Sequence, residues 1–257
     1  MKLSIVTPSY NQAEFLERTI KSVVNQKGIG KDYELEYIIM DGGSTDGSVD
    51  IIKRYAKNHP FIKWQSKKDK GQSDALQQGF NKATGEIIAW INSDDEYTKG
   101  AFSRVMTSFA DMKTQWVTGH AKIVDERNRE ILRGITAYKN FLCRLPSKTL
   151  YTENFVSQPS TFFRKSLYEH VGGINPALHY CMDYDLWLRF LQKADPVIIR
   201  RDLSLFRRYS SSKSGAGFEK QFKEQYAIAK QYTSNQLLLA LHRLQNLKTV
   251  LIYRLVS

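Results

Sequence analysis

Residues 73–95 read SDALQQGFNKATGEIIAWINSDD, and the order of patterns in this stretch indicates the fold class. Residues 73–83 suit a helix, and the apolar run at residues 86–91 is typical of a buried strand. The strand ends directly in the polar turn Asn92-Ser93-Asp94-Asp95. A helix that leads into a buried strand is the repeating unit of α/β proteins with parallel sheets.

The same alternation precedes this stretch. Three apolar runs predict three further strands, at residues 3–7, 35–40 and 61–65. Helices are predicted at residues 11–26 and from about residue 45. Each right-handed crossover between parallel strands needs a helix to return the chain, so we predict an α/β fold with a Rossmann-like, mostly parallel central sheet flanked by helices. In such sheets, ligands bind outside the carboxyl ends of the strands.

The second half of the chain is less regular. Strands are predicted at residues 116–124 and 158–164, and helices at residues 165–171 and 183–193. Residues 136–155 are interpreted as a mixed, mobile stretch.

Composition and charge limit the class of protein and its partners. With 257 residues, 42% of them hydrophobic, the chain is long enough to bury a sizeable core. The formal net charge of +12 favours anionic partners such as nucleotide phosphates or an anionic membrane surface. Nucleic acid is not expected, because no helix-turn-helix, zinc-finger or aromatic RNA-binding signature accompanies the charge. A dinucleotide-dependent oxidoreductase is disfavoured, because Pro8-Ser9-Tyr10-Asn11 stands where GxGxxG would follow the first strand.

Localisation is predicted from the cysteines and the N-terminus. Cys143 and Cys181 form neither a disulfide framework nor a metal-binding spacing, which favours a reducing compartment. The N-terminus reads as a strand rather than a secretory signal, and no stretch reaches the roughly 18 apolar residues of a membrane span. We therefore expect a cytoplasmic protein, found at the inner face of the membrane if its C-terminus binds lipid.

Acidic residues at two predicted strand ends are candidate ligand contacts. Asp94 and Asp95 offer the oxygen ligands that Mg²⁺ prefers, or else cap the helix predicted to begin near Thr98. Asp41, which is followed by two glycines, either accepts a hydrogen bond from a nucleotide base or forms an ordinary Asp-Gly turn. The residues alone do not decide between these interpretations.

A third acidic pair, Asp183 and Asp185, stands at the beginning of the helix predicted at residues 183–193. The helix dipole favours an ionised acid at this end. A carboxylate held against an acceptor hydroxyl can act as a general base, whereas the simpler interpretation is that these residues cap the helix.

Taken together, the segments resemble family 2 of the nucleotide-diphosphate-sugar glycosyltransferases, which have the glycosyltransferase-A fold. The matching segments occur in the family's order: LSIVTPSYNQAEFLERTIKSVVNQ, YIIMDGGSTDGS, KDKGQSDALQQGFNKATGEIIAWINSDD, QPSTFFRKSLYEHVGG and MDYDLWLRF. They span roughly residues 2–215, and the ordered set is far more specific than any one segment.

The resemblance implies roles for residues of the first half. The segment Thr7-Pro8-Ser9 lies where the family's first loop touches the nucleotide. Asp41 matches the aspartate that contacts the base, usually uracil, so a UDP-sugar is the expected donor. The loop from Gly71 to Asp74 matches the loop that flanks the nucleotide and the donor sugar.

The resemblance also implies the metal site and the catalytic base. Asn92-Ser93-Asp94 occupies the place of the family's Asp-x-Asp. Asp94 is therefore the expected ligand of Mn²⁺ or Mg²⁺, and Asp95 is the second candidate. Asp183 falls where the family keeps its catalytic base. The implied activity is a metal-dependent, hexosyltransferase-type transfer that inverts the anomeric centre in one displacement.

Three positions depart from the family pattern. Asn92 replaces the first acid of Asp-x-Asp, and its amide oxygen is expected to contact ribose or water instead of the metal ion. Met182 replaces the glutamate that precedes the base. Tyr209 stands where relatives often have a histidine that approaches the metal or the diphosphate. Arg207, Arg208 and Lys213 are expected to supply positive charge instead, on a mobile loop at residues 206–214 that orders over the bound donor.

Three regions are predicted along the chain. Residues 1–95 form the nucleotide-sugar-binding half and residues 96–215 the acceptor half of the glycosyltransferase domain, and residues 216–257 form a C-terminal helical extension. Within it, residues 234–257 present leucines at helical spacing with basic residues between them. This helix either lies on an anionic membrane near a lipid-linked acceptor or packs on its own domain or a second subunit.

The resemblance leaves two functional interpretations. The first is an enzyme that extends a surface polysaccharide or a lipid-linked glycan. The second is a non-catalytic nucleotide-sugar-binding or scaffold homologue, an alternative that Asn92 and Tyr209 keep open. Retention of Asp41, Asp94, Asp95 and Asp183 favours the enzyme, since a pure scaffold has no need of all four.

Overall fold

The computed structural model describes residues 1–210 and 218–256, and within them eight strands form one mixed sheet. The strands are β1 Lys2–Ser9, β2 Glu34–Asp41, β3 Ile62–Ser66, β4 Ile87–Trp90, β5 Glu96–Tyr97, β6 Trp116–Val124, β7 Thr161–Arg164 and β8 Val197–Arg207. Their order across the sheet is β3-β2-β1-β4-β7-β6-β8-β5.

Helices cover both faces of this sheet. They are α1 Ala13–Val24, α2 Ser48–Asn58, α3 Gln72–Lys82, α4 Ala101–Phe109, α5 Arg133–Leu142, α6 Lys165–His170, α7 Met182–Leu191, α8 Phe218–Tyr232 and α9 Gln236–Val256. Two short 3₁₀ helices cover Ser147–Tyr151 and Gln158–Ser160.

The first four strands form the parallel half of the sheet. β1 pairs in parallel with β2 and with β4, and β2 pairs in parallel with β3. The register sets Ser9 beside Asp41 at the carboxyl ends of β1 and β2. The predicted α/β fold with a mostly parallel central sheet is confirmed, and the antiparallel pairs lie around β7 and the short β5.

Some predicted elements of the second half differ from the structure in part of their length, although residues 161–164 of the strand predicted at residues 158–164 do form β7. Residues 158–160 form a 3₁₀ turn rather than a strand, because Pro159 has no amide hydrogen to give to a sheet. Residues 136–155 include most of α5 and the 3₁₀ helix Ser147–Tyr151. The loop predicted from residue 206 begins later, since Phe206 and Arg207 belong to β8. The rest of that loop, from residue 211, and Lys213 with it, lies outside the described residues.

The core has one layer on each face of the sheet. The layer under α1, α2 and α4 contains residues such as Leu16, Ile52 and Phe102. The opposite layer joins α3, α7, α8 and α9 in a single cluster that includes Trp187 and Ile228. The C-terminal helices therefore share a core with the helix that bears Asp183, while the domain boundaries remain a prediction.

Among the described residues, no helix combines the length and the apolar character that crossing a bilayer would require.

Candidate active site

A cleft of about 830 Å³ opens at the carboxyl ends of β1, β2 and β4. This volume is in the range of small-molecule sites. The predicted site residues that line it are Pro8, Ser9, Gly71, Asn92, Ser93, Asp94, Asp183 and Arg207. The remaining ones among the described residues, which do not line it, are Thr7, Asp41, Asp74, Asp95 and Arg208. Asp94 and Asp183, which are far apart in the chain, thus share one cleft.

The carboxylate of Asp94 is the acid of the turn after β4 that faces this cleft. It is partly exposed, and its Oδ2 accepts a hydrogen bond from the Tyr209 hydroxyl at 3.1 Å. Burial raises the pKa of Asp94, although the Tyr209 hydroxyl and the nearby Arg207 favour its ionised form. Tyr209 stands where relatives often have a histidine. Its hydroxyl is therefore hydrogen-bonded to the acid that is expected to bind metal.

Asp95 points into the protein and is completely buried. Its Oδ1 accepts a hydrogen bond from the Arg207 amide at 2.7 Å, and its Oδ2 accepts one from Asn92 Nδ2 at 3.3 Å. Burial, and then repulsion from the charge on Asp94, raise the pKa of Asp95 well above its usual value. This position favours Asp94 over Asp95 as the acid that reaches a ligand in the cleft.

Arg207 is buried with its guanidinium directed at protein acceptors. Nε donates to the carbonyl of Asp94 at 2.8 Å, and Nη2 donates to Glu96 at 2.6 Å and to Asn128. Nη1 donates to the carbonyl of Asp125. These bonds give Arg207 a structural role in fixing the acidic turn. The diphosphate contact predicted for it stays a prediction, and it would compete with these bonds.

Asn92 is held by two glutamines that the sequence analysis did not single out. Gln72 donates to Asn92 Oδ1 at 2.7 Å, and Asn92 donates to Gln158 Oε1 at 3.2 Å. Gln158 in turn donates to the carbonyl of Trp90 at 2.8 Å. The amide therefore links α3, the 3₁₀ turn and the end of β4, all of which contribute to the cleft wall.

Asp41 lies behind the cleft wall, where it shapes the turn after β2. Its Oδ2 accepts hydrogen bonds from the amides of Gly43 and Ser44 and from the Ser66 hydroxyl, at 2.6 to 3.0 Å. Gly43 has φ +86°, a conformation that favours glycine. Gly42 and Gly43, rather than Asp41, line the cleft. The base contact predicted for Asp41 stays a prediction.

Two other predicted contacts also have internal partners. The Thr7 hydroxyl is fully buried, 3.1 Å from the Tyr37 hydroxyl. Asp74 Oδ2 accepts hydrogen bonds from the Lys70 amide and from Gln78, each at 3.0 Å, which fixes the loop that enters α3. By contrast, Ser9 lines the cleft, and its buried Oγ has no hydrogen-bond partner among the described residues.

Asp183 stands in the first turn of α7 at the cleft. Its Oδ1 accepts a hydrogen bond from the Tyr184 amide at 2.8 Å. The chain before this helix is fixed by Glu224 of α8, whose carboxylate accepts hydrogen bonds from the amides of His179, Tyr180 and Cys181 at 2.7 to 3.0 Å. A helix beyond the matched sequence segments therefore positions the candidate base.

Further cleft residues escaped the sequence analysis. Lys68 is exposed at the cleft beside the Gly42-Gly43 turn. Tyr180 and Gln221 line the side next to Asp183. The basic run Lys67-Lys68 was a signal for the first of these, but no local pattern marks Gln221.

The donor set in the cleft bears on metal binding. In the part of the chain that the structure describes, no cluster of three or more His, Cys, Asp or Glu side chains could hold an ion. Mg²⁺ commonly takes only one or two carboxylates and completes its shell with water and substrate phosphates. Asp94, the partly exposed carboxylate of the turn after β4, fits such a shared site and does not fit an all-protein cage.

Comparisons with known proteins agree with the sequence motifs. A family model described as Glycosyl transferase family 2 matches residues 4–172. An uncharacterised glycosyltransferase of Nostoc sp. PCC 7120 is 32% identical over 180 residues, which are 68% of this chain and 55% of that protein. The chain thus spans about half the length of this relative.

Solved structures share the fold. The mannosyltransferase PcManGT of Pyrobaculum calidifontis, in complex with GDP-Man and Mn²⁺, has a TM-score of 0.70 at 17% identity over 93% of this chain and 68% of that one. TarS 1–349 of S. aureus, in complex with UDP-GlcNAc, has a TM-score of 0.69 at 17% identity over 89% of this chain and 65% of that one.

Proposed function

The chain belongs to glycosyl transferase family 2, and on that premise we propose that it transfers a sugar from a nucleoside-diphosphate sugar to an acceptor hydroxyl with inversion. The observation that carries the proposal is that Asp94 and Asp183 line the same cleft. UDP is the preferred nucleotide, in keeping with the sequence resemblance and with the UDP-GlcNAc bound by TarS. The acceptor is a glycan or a lipid-linked glycan of a surface-polysaccharide type.

Asp183 is the proposed general base. It takes the proton of the acceptor hydroxyl as the acceptor oxygen forms a bond to the anomeric carbon. The bond from that carbon to the diphosphate oxygen breaks on the opposite face, and the nucleoside diphosphate leaves with the electron pair. The position of Asp183 in the first turn of α7 supports this role, because the helix dipole stabilises its ionised form.

Asp94 is the proposed contact to Mn²⁺ or Mg²⁺, and Asp95 and Arg207 support it from behind. A bound divalent ion would neutralise the charge on the leaving diphosphate. Lys68, on the same cleft, is a further cation able to pair with a phosphate. Gln72 and Gln158 hold Asn92 and so keep the turn in place.

A non-catalytic nucleotide-sugar-binding homologue is the second candidate. Two hydrogen bonds favour this candidate, because they engage oxygens that a ligand would need. The Tyr209 hydroxyl donates to Asp94, and Gln72 donates to the side-chain oxygen of Asn92. This candidate predicts that the donor binds and is not consumed. An enzyme would both bind and consume the donor.

A thermal-shift screen tests the donor binding that both candidates require, and release of the nucleoside diphosphate from a donor that binds separates them. Nucleoside diphosphates and nucleotide sugars are added to the wild-type protein with and without Mn²⁺, and binding raises Tm by mass action. We expect UDP or a UDP-sugar to raise Tm more strongly with Mn²⁺ than without it, and Asp94→Ala to lose that difference. If no nucleotide of any base changed Tm, the proposed function would be wrong.

A further inference from the structure

The outer face of α9 carries a stripe of exposed leucines. Leu237, Leu241, Leu244, Leu247 and Leu251 are all exposed, by 40 to 68%. At 3.6 residues per turn they span roughly 120° of the helix surface. A helix on a protein surface normally turns such a stripe towards the core.

The buried face of the same helix carries polar side chains. His242 is fully buried, with Nδ1 2.9 Å from the Tyr151 carbonyl oxygen, and Asn246 donates to the Phe222 carbonyl at 3.0 Å. These bonds fix the orientation of α9 on the protein. The leucine stripe therefore points outward because the polar residues are anchored inside.

The stripe continues onto α5. Lys248, which lies among the leucines, sits with its Nζ 4.8 Å from the centre of the Tyr138 ring. Phe141, three residues after Tyr138 and on the same side of α5, is exposed, and so is Leu145 in the turn that follows the helix. Together with the five leucines, these two side chains form what we call the α5/α9 patch.

Basic residues outnumber acids around this patch. Residues 133–152 contain four lysines and arginines and residues 236–256 contain three, and neither segment contains an aspartate or a glutamate. Glu153, at the next position, is an acid at the edge of the patch, where it accepts a hydrogen bond from the Tyr138 hydroxyl at 2.8 Å and attracts Lys248. Apolar side chains mixed with an excess of basic ones suit the interfacial region of a bilayer with anionic headgroups.

A second copy of the chain suits this surface less well. In a symmetric dimer the same patch meets itself. Basic residues would then face basic residues, while Glu153 is already hydrogen-bonded to Tyr138 of its own chain, and like charges in an interface are strongly unfavourable. Anionic lipid removes this repulsion, because the headgroups supply the opposite charge.

We propose that the α5/α9 patch docks the protein on an anionic lipid surface, with the leucines in the acyl boundary and the basic residues at the headgroups. The patch is coupled to the cleft, because α9 packs on α8 and α8 contributes Gln221 to the cleft wall beside Asp183. Docking brings this side of the cleft near the membrane. The proposal holds whether or not the protein turns over a sugar donor.

Vesicle flotation of the full chain tests the proposal. Vesicles of phosphatidylcholine alone are compared with vesicles of equal parts phosphatidylcholine and phosphatidylglycerol. We expect wild type to bind the anionic vesicles, and the double variant Leu244→Gln/Leu247→Gln to bind them at least ~tenfold more weakly. Met112→Gln, which replaces an exposed side chain outside the patch, should bind as wild type does.

A second variant tests the charge. Arg243→Gln/Lys248→Gln leaves every leucine in place and should remove most of the preference for anionic over neutral vesicles. All variants should melt at the wild-type temperature, since substitutions of exposed side chains change stability little. The proposal is overturned if wild type fails to bind anionic vesicles or if the double leucine variant binds them equally well. It is also overturned if ultracentrifugation shows a wild-type dimer that the leucine variant loses and neither protein binds vesicles.

Discussion

Arg207 determines the geometry of the acidic turn through hydrogen bonds and not through exposed charge. Its guanidinium reaches two backbone carbonyls and two side chains, and its amide holds Asp95. The planar guanidinium can serve several acceptors at fixed angles, whereas a lysine ammonium on a flexible chain cannot. The shape of the turn thus depends on one buried side chain.

We predict that Arg207→Lys lowers the free energy of unfolding by about 2–4 kcal/mol, because several hydrogen bonds of a buried charged group are lost. Nucleotide binding should weaken as the turn loosens. Denaturant unfolding and the thermal shift with UDP measure these effects. Arg201→Lys, at an exposed position of the same strand, is the matched control and should change neither. Equal stability of the two variants would contradict the assigned role.

Tyr209 limits access to Asp94. We predict that Tyr209→Phe lowers the apparent Kd for Mn²⁺ by ~3–10-fold, because a cation no longer has to displace a hydrogen bond to a charged acceptor. Mn²⁺ binding measured by magnetic resonance of the ion checks this without any substrate. Tyr10→Phe, on the same cleft, should leave the affinity unchanged. Weaker Mn²⁺ binding by Tyr209→Phe would mean that the hydroxyl assists the ion.

At the scale of elements, the beginning of α7 depends on α8. Glu224 accepts three amide hydrogens with two carboxylate oxygens, whereas a glutamine has one acceptor oxygen. We predict that Glu224→Gln lowers stability by roughly 1–3 kcal/mol and slows donor consumption, with the affinity for UDP unchanged. Glu169→Gln, an exposed carboxylate on α6, serves as the control. A variant that lost UDP affinity but kept its turnover rate would contradict this division of roles.

The amino ends of the strands depend on one buried carboxylate. Glu36 of β2 accepts hydrogen bonds from Ser4 of β1, from Lys63 of β3 and from the Thr84 amide before β4. Burial disfavours its charge, but these bonds outweigh burial and lower its pKa from 4.5 to about 2. Glu36 thus joins three strands at the end of the sheet remote from the cleft.

The lowered pKa predicts how stability depends on pH. The stabilisation by Glu36 is fully present above pH 4.5 and is lost as the pH falls towards 2, because the unfolded chain takes up the proton first. Glu36→Gln should cost roughly 1–3 kcal/mol at neutral pH and flatten the stability curve between pH 4.5 and 2. Glu34→Gln, exposed on the same strand, should keep the wild-type slope. Urea unfolding across this pH range decides the matter, and parallel curves for Glu36→Gln and wild type would refute the role.

The parallel strands could be predicted because each is a short apolar run that ends in turn residues. β8 could not, since Arg200, Arg201 and Asp202 interrupt its apolar pattern and a register shift near His120 breaks its pairing with β6. The two-residue strand β5 depends entirely on its pairing with β8. Such pairings are tertiary and leave no local signal.

The same limit applies to the site. The convergence of strand ends at one sheet edge predicted the position of Asp94, whereas the family resemblance implied that Asp183 would join it there. The sequence motifs did not predict that Asp41 and Asp95 are buried behind the cleft wall. An acid in a turn gives the same sequence pattern whether its side chain faces a ligand or its own backbone. The contact of Glu224 with the chain before α7 joins residues more than 40 positions apart, and it has no periodic pattern.

At the scale of the whole molecule, one cleft collects residues from both halves of the chain and from α8. The parallel strands β1, β2 and β4 place Ser9, Gly43 and Asp94 at their carboxyl ends, and the second half supplies Asp183. The net charge of +12 raises the local concentration of anionic donors and, by the inference above, of anionic lipid. Donor binding and removal of the acceptor proton are therefore assigned to two different acids of one cleft, Asp94 and Asp183.

The most direct test of this assignment is the rate of nucleoside diphosphate release by Asp183→Asn, measured at saturating donor with UDP affinity determined on the same sample. We expect a rate ~10²–10⁴-fold below wild type with an affinity close to wild type, because a general base contributes to the reaction and not to donor binding. If the variant released the diphosphate at the wild-type rate, or lost UDP affinity along with its rate, Asp183 would not be the general base.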